Sequence, residues 1–190
     1  MTKRGKIITS VVAEYWRREM SKLFLIADTH FGDDAIRRYE NRPFGSAEEM
    51  DEALIRNWNQ VVSPEDRVYH LGDFSVPGRE EQYLKQLKGH ICLVRGNHDL
   101  LENAAYRSMG FEESYDLPVV LEQFWILSHE PMYVNENMPY ANLFGHVHGS
   151  PLYKTFSGHH YCVSVERIGY TPITLEQIKE EIGRQMAPQC

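Results

Sequence analysis

The sequence has few cysteines, no long apolar run and no excess of positive charge. Its three cysteines (Cys92, Cys162 and Cys190) are scattered along 190 residues, which excludes a disulfide framework and a four-cysteine zinc site. No apolar run reaches the ~18 residues that a transmembrane helix needs, so we expect no membrane partner. The 20 basic and 27 acidic residues give a net charge of −7. This acidity argues against bulk nucleic-acid binding, but not against an enzyme that acts on nucleotides.

The first 20 residues differ from the rest because basic residues outnumber acidic ones there. Apolar residues at helical spacing, from Ile8 to Tyr15, predict a short amphipathic helix in this segment. The apolar stretch is too short and too polar for a secretory signal, so we expect a cytoplasmic protein. A chain of 190 residues fits one domain better than two. We therefore divide it into a basic leader of uncertain role over residues 1–20 and a single domain over residues 21–190.

Predicted strands and helices alternate in the first half of this domain, and strands dominate the second half. Continuous apolar runs typical of buried parallel strands span residues 23–27, 67–71 and 91–94. Helical patterns span residues 46–62, 80–87 and 100–109. Further predicted strands, followed by a last helix, span residues 119–121, 124–128, 142–144, 161–165 and 174–183. This order indicates the α/β class.

Nearly every predicted strand ends in a short cluster of Asp, Asn or His, often beside glycine. The clusters are Asp28-x-His30, Gly72-Asp73, Gly96-Asn97-His98-Asp99, His129 and Gly145-His146-Val147-His148. Ligands bind at the carboxyl ends of strands in open α/β sheets, so we expect these clusters to converge on one site. The three glycines would let the backbone turn sharply there, so that the next side chain faces the site.

The donor atoms of these clusters indicate two metal ions rather than one. They offer two carboxylates, one amide oxygen and four imidazoles as possible ligands, with His98 left over. That set is too large for one tetrahedral zinc, which takes three or four ligands, and it suits two metal ions that share a bridging carboxylate. Mixed nitrogen and oxygen ligands suit Mn, Fe, Zn, Ni or Co better than Ca or Mg, and among these we favour Mn²⁺.

In their order and spacing, the five clusters resemble those of the calcineurin-like metallophosphoesterases, over about residues 23–165. The stretches Asn41-Arg42-Pro43-Phe44 and Asn57-Trp58-Asn59 are similar to a small bacterial branch of that superfamily, usually without an assigned substrate. The resemblance implies a four-layer α-β-β-α sandwich, in which helices flank two mixed β-sheets on both outer faces.

The resemblance also implies a role for each candidate residue. The implied ligands are Asp28, His30 and His148 for one metal, Asn97, His129 and His146 for the other, and Asp73 as the bridge between them. A hydroxide between the metals would be the nucleophile. His98 would act toward the leaving oxygen rather than bind metal, and Asp99 would orient its ring.

The implied reaction is metal-dependent hydrolysis of a phosphoric ester. Protein Ser/Thr phosphatases have an Asp-Arg pair soon after Gly-Asp, and Asn-His-Glu where this chain has Asn97-His98-Asp99. The chain lacks both features and leaves little room for a cap domain. We therefore expect a small phosphorylated substrate, with nucleotides among the candidates, and favour a phosphodiesterase over a phosphomonoesterase. A metal-bound scaffold without turnover is the non-enzyme alternative.

Two further residues are candidate substrate contacts. Asn41 and Arg42 follow the first metal motif, and arginine suits bidentate contacts to phosphate. A solvated, charged surface is the competing interpretation. His70 lies inside a predicted strand just before the site, and we expect it to be packed in the core.

Overall fold

The computed structural model describes residues 21–135 and 137–186, so the predicted leader helix lies outside the described residues. The first half of the chain contains β1 (Leu23–Ile26), α1 (Asp34–Tyr39), α2 (Ala47–Val61), β2 (Arg67–His70), α3 (Glu80–Leu84), β3 (His90–Val94), α4 (Asn103–Met109) and β4 (Glu113–Tyr115). The second half contains β5 (Val119–Leu121), β6 (Trp125–Leu127), β7 (Ala141–Phe144), β8 (Phe156–Ser157), β9 (His160–Cys162), β10 (Ile173–Thr174) and α5 (Leu175–Met186). None of the helices in these ranges is long and apolar enough to cross a bilayer.

The strands form two mixed sheets of five strands each. In the first sheet, β1 to β4 run parallel and β10 pairs antiparallel with β1 at the edge. In the second, parallel β6, β7 and β9 are flanked by antiparallel β5 and β8. A parallel bridge between Ala27 and Ser164 joins the end of β1 to the chain just after β9. The carboxyl ends of the two sets of parallel strands therefore meet.

Two apolar cores hold these layers together. Alternate residues of a strand face opposite sides of its sheet, so on β1 Leu25 enters the core between the sheets while Phe24 and Ile26 enter the other. That other core lies between the first sheet and helices α2, α3 and α4. Helix α5 adds Leu175 and Ile178 to the core between the sheets. The predicted fold class, two mixed sheets flanked by helices, is confirmed.

Helix α2 shows how local sequence determines one of these elements. The Ser46 side chain accepts a hydrogen bond from the N–H of Glu49 (3.2 Å), which caps the first turn. Met50, Leu54 and Trp58 recur at helical spacing and are buried against the first sheet. The helix predicted over residues 46–62 is therefore confirmed. It packs against the sheet whose loops contain the first three clusters.

Candidate metal centre

The structure brings the predicted clusters together where the parallel strands end. The cluster residues lie in the loops that follow β1, β2, β3, β6 and β7. The loop after β7 contacts the loop after β1 although 118 residues separate them, because the backbone N–H of His146 donates to both carboxylate oxygens of Asp28 (3.0 and 2.9 Å). Asp28 in turn donates its own N–H to the Gly72 carbonyl after β2 (3.0 Å).

Most of the candidate ligands have an unusual backbone conformation. Positive φ angles, between 48° and 67°, occur at Asp28, His30, Asp73, His146 and His148. A residue with a Cβ atom rarely adopts this left-handed region. Each instance costs on the order of 1–3 kcal/mol, and such instances gather at functional sites. The rest of the fold therefore holds these side chains in directions that the isolated chain would not choose.

The three glycines beside the ligands act mainly through close approach, which corrects our expectation that all three provide sharp turns. Of these three glycines, Gly72 alone has a positive φ, of 91°. A Cβ on Gly96 would collide with the Asp73 carboxylate and lie 2.7 Å from the Asp73 backbone nitrogen. A Cβ on Gly145 would lie 2.7 Å from an oxygen of Asp28. At these two positions glycine provides the space that the carboxylates occupy.

Asp28, His30 and His148 form one group of candidate ligands, which we call the closed group. One donor atom from each lies within 4.8 Å of the others. Asp28 and His30 are buried, with exposures of 0% and 2%. The Nε2 atom of His30 is buried without a hydrogen-bond partner in the described part of the chain. A buried imidazole nitrogen without a partner is unfavourable unless something else binds it.

Glu166 contacts the third member of the closed group, and our sequence interpretation missed it. The carboxylate can only accept, so the Nδ1–H of His148 donates to Glu166 Oε1 (3.1 Å). The other ring nitrogen, Nε2, then faces Asp28 Oδ1 at 4.0 Å. Burial acts to lower the pKa of His148, but the hydrogen bond that His148 donates to Glu166 and the charge of Asp28 outweigh it and raise the pKa.

Asn97, His129 and His146 form the second group, which we call the open group because Asn97 and His146 are exposed. The Nδ1–H of His129 donates to the Leu71 carbonyl (2.8 Å), which leaves Nε2 as a bare lone pair in the neutral ring. That Nε2 lies 2.9 Å from the Oδ1 of Asn97 and 3.1 Å from the Nδ1 of His146. Acceptor atoms so close together need a cation, or a proton on one ring, between them.

Asp73 lies between the two groups. Its Oδ2 atom is 3.4 Å from His30 Nε2 in the closed group and 3.5 Å from His129 Nε2 in the open group. Its Oδ1 atom accepts a hydrogen bond from the backbone N–H of His98 (2.8 Å). Burial acts to raise the pKa of Asp73, but the adjacent rings of His30 and His129 outweigh it and hold the pKa well below that of an ordinary aspartate. This placement fits the expected bridge.

His98 and Asp99 lie beside the site in different surroundings. The His98 side chain is exposed, and its ring lies edge-on to that of His30, with centroids 5.2 Å apart. Asp99 is buried, and its carboxylate accepts hydrogen bonds from three backbone N–H groups, those of Asp73 (2.7 Å), Phe74 (3.2 Å) and Gly96 (2.8 Å). We expected Asp99 to orient the His98 ring; its observed contacts instead join the loops after β2 and β3.

The structure places Arg42 neither in a phosphate contact nor on a solvated surface, the two interpretations that the sequence left open. Its side chain has 0% exposure, and the guanidinium donates to the backbone carbonyls of Asp28 (2.7 Å) and Thr29 (2.9 Å). These bonds leave it unable to reach a substrate from its observed position. Asn41 is exposed on the loop after α1. His70 is buried in the core, as expected, and burial lowers its pKa to about 3.

The residues present fit two divalent metals. Two buried carboxylates, an orphaned imidazole nitrogen and a set of converging lone pairs are costly without positive charge among them. The candidate groups Asp28–His30–His148 and Asp28–Asp73–His129 each place three donor atoms within 4.8 Å of one another. In the described part of the chain, the three-residue groups able to hold a metal do not include His98.

Comparison with known proteins identifies one family and several relatives. The family model described as calcineurin-like phosphoesterase matches residues 21–185. An uncharacterized protein of Methanocaldococcus jannaschii is 34% identical over 178 residues, which cover 87% of this chain and 93% of that protein. The gene 66 protein of Mycobacterium phage L5 is 31% identical over 85 residues, 42% of this chain and 41% of that protein. The crystal structure of a protein of unknown function from Aquifex aeolicus is similar with a TM-score of 0.65 at 26% identity, covering 85% of this chain and 100% of that one.

Proposed function

Because the chain belongs to the calcineurin-like phosphoesterase family, we propose that it is a dinuclear metal-dependent phosphodiesterase that acts on a small substrate, with nucleotides among the candidates. The observation that carries this proposal is the position of Asp73. One oxygen of its carboxylate lies within 3.5 Å of a ring nitrogen from each group of candidate ligands, on His30 and His129. A shared carboxylate between two sets of donors is what a pair of metals requires.

The proposed metals and side chains divide the chemistry between them. When bound, two divalent metals supply a hydroxide nucleophile at neutral pH and positive charge for the phosphoryl oxygens. The closed and open groups would hold the two metals, and Asp73 would be a ligand to both. His98 is exposed beside the ligands, so its ring can donate a proton or a hydrogen bond to the leaving oxygen. No nucleophilic serine or cysteine is needed in this scheme.

The surroundings of Arg42 are compatible with a singly charged diester. A phosphomonoester carries up to two negative charges at neutral pH, whereas a phosphodiester carries one, and enzymes often use arginine to bind the additional charge. The guanidinium of Arg42 is buried and bonded to two backbone carbonyls and to Glu166. The arginine next to the first metal motif is therefore not available for that purpose.

The test compares the hydrolysis of bis-p-nitrophenyl phosphate and p-nitrophenyl phosphate by protein stripped of metal and reloaded with Mn²⁺. We expect metal-dependent turnover of both, with the larger kcat/KM for the diester. The Asp73→Asn variant should lose turnover by more than about 100-fold, since removing even an outer partner of a ligand costs up to that amount. The reloaded wild-type protein should contain two metals per chain.

Other outcomes would replace the proposal. A preference for the monoester would favour a phosphomonoesterase for small phosphorylated metabolites. Metal binding without turnover of either reporter would favour a scaffold that binds metal without catalysis. Equal turnover by wild-type protein and Asp73→Asn would contradict the assigned site.

A further inference from the structure

A buried ion pair lies directly behind the closed group. Glu166 Oε1 accepts hydrogen bonds from Arg42 Nε (2.9 Å) and His148 Nδ1 (3.1 Å), and Arg42 Nη2 lies 2.7 Å from the same oxygen. The two side chains of the ion pair have exposures of 0% and 9%. Residues separated by 124 positions in the chain thus meet beside a candidate metal ligand.

The same guanidinium also supports the first metal motif. It donates to the backbone carbonyls of Asp28 (2.7 Å) and Thr29 (2.9 Å). Those carbonyls belong to the turn in which Asp28 and His30 have positive φ angles. One buried cation therefore connects the backbone that presents two members of the closed group to the carboxylate that holds the third.

We propose that Glu166 and Arg42 are positioning residues for the closed group. Glu166 keeps His148 in the tautomer with a proton on Nδ1, so that the bare Nε2 faces Asp28, and Arg42 holds Glu166 in place. A carboxylate behind a ligating histidine fixes its ring and makes it a stronger ligand. The inference rests on the proposed function only in requiring that the site binds metal, not that it hydrolyses an ester.

A third metal site is the competing explanation of the same cluster. Glu40, His148 and Glu166 place donor atoms within 4.8 Å of one another, and Glu166 Oε2 is buried without a hydrogen-bond partner in the described residues. A metal there would need a bare Nδ1 on His148, which would turn its Nε2–H toward Asp28 and spoil the closed group. It would also lie close to the Arg42 guanidinium. The positive charge of Arg42 and the tautomer of His148 that the closed group needs both favour the positioning role.

The test is a titration of the metal-free, full-length protein with Mn²⁺, without substrate, using Glu166→Gln and the matched control Glu40→Gln. We expect Glu166→Gln to weaken one of two metal equivalents by about 10–100-fold and to leave the other unchanged. Glu40→Gln keeps the hydrogen bond between His148 and Glu166, so both equivalents should match wild type. The ¹⁵N shifts of the His148 ring in metal-free wild-type protein should show the proton on Nδ1.

Each contrary outcome has a separate meaning. Equal weakening of both equivalents, or none, in Glu166→Gln would overturn the positioning role. Loss of a third equivalent in Glu40→Gln would replace it with the third metal site. If Glu166→Gln does not fold, Glu166→Asp, which keeps the charge but is one methylene shorter, should still weaken the same single equivalent. Two bound metals without ester hydrolysis would defeat the proposed function and leave this inference intact.

Discussion

The closed and open groups lie on the two sides of one candidate metal centre, yet they are built differently. The closed group is buried and has a charged carboxylate, Glu166, behind His148. The open group exposes Asn97 and His146 to solvent, and its buried histidine, His129, is supported by a neutral backbone carbonyl. The first arrangement would strengthen a histidine ligand and exclude water from it. The second leaves its candidate ligands accessible to solvent.

From this difference we expect the closed group to bind metal more tightly and the open group to face the substrate. A preorganised, desolvated group with a carboxylate partner should bind its metal more tightly and exchange it more slowly. The exposed group offers the side from which a substrate can approach. His98 is exposed as well, so the leaving group would depart toward solvent. Variants that affect one group and spare the other can test this comparison.

The largest effect that leaves both groups intact is expected for His98→Ala. A general acid contributes about 10²–10⁴-fold to the rate, so kcat for the diester reporter should fall within that range. Because the His98 side chain is not among the candidate metal ligands, the protein should still bind two metals. Steady-state kinetics and metal analysis on the same preparation measure both quantities.

The matched control for that variant is His90→Ala. His90 is also exposed, at the start of β3 and at the opposite end of that strand from the site, so its removal should leave kcat unchanged. A His98→Ala protein that lost one metal would make His98 a ligand and contradict the role proposed for it.

A smaller effect, confined to the open group, is expected for Asn97→Ala. The variant removes one oxygen donor from an exposed position, so the weaker metal equivalent should lose affinity by at least about tenfold, comparable to the loss of an outer partner. The tighter equivalent, which we assign to the closed group, should keep its affinity. Calorimetric titration with Mn²⁺ separates the two, and the comparison fails if the tighter equivalent is the one that weakens.

The convergence of the site could be predicted from sequence because it follows from chain direction. Parallel strands bring their carboxyl ends to one edge, so polar clusters after β1, β2 and β3 had to lie near one another. Glu166 was missed although the same rule applied to it. It follows the predicted strand over residues 161–165 directly. The sequence pattern there was a single acidic residue, whereas the other strands end in clusters.

Other features had no local signal. Arg42 and Glu166 are 124 residues apart, and their pairing depends on how the two sheets pack. Asp99 binds backbone amides, which every sequence offers, so nothing in its neighbourhood indicates that contact. The strands β8 and β10 are two residues long, too short for an alternating pattern to predict them.

The smallest expected effect concerns the loops that both groups share. Asp99→Asn replaces a buried carboxylate that accepts hydrogen bonds from three backbone N–H groups, and the amide NH₂ would face donors that it cannot satisfy. Unsatisfied buried donors cost about 1–3 kcal/mol, so the free energy of unfolding of the metal-free protein should fall by that amount in urea. The control Asp116→Asn changes an exposed aspartate that lies 3.8 Å from Arg95 and should shift the free energy of unfolding by less than about 0.5 kcal/mol.

Because the Asp99 carboxylate accepts a hydrogen bond from the N–H of Asp73, the proposed shared ligand, we expect Asp99→Asn to weaken both metal equivalents together. A loss of affinity limited to one equivalent would show that the loops after β2 and β3 move independently.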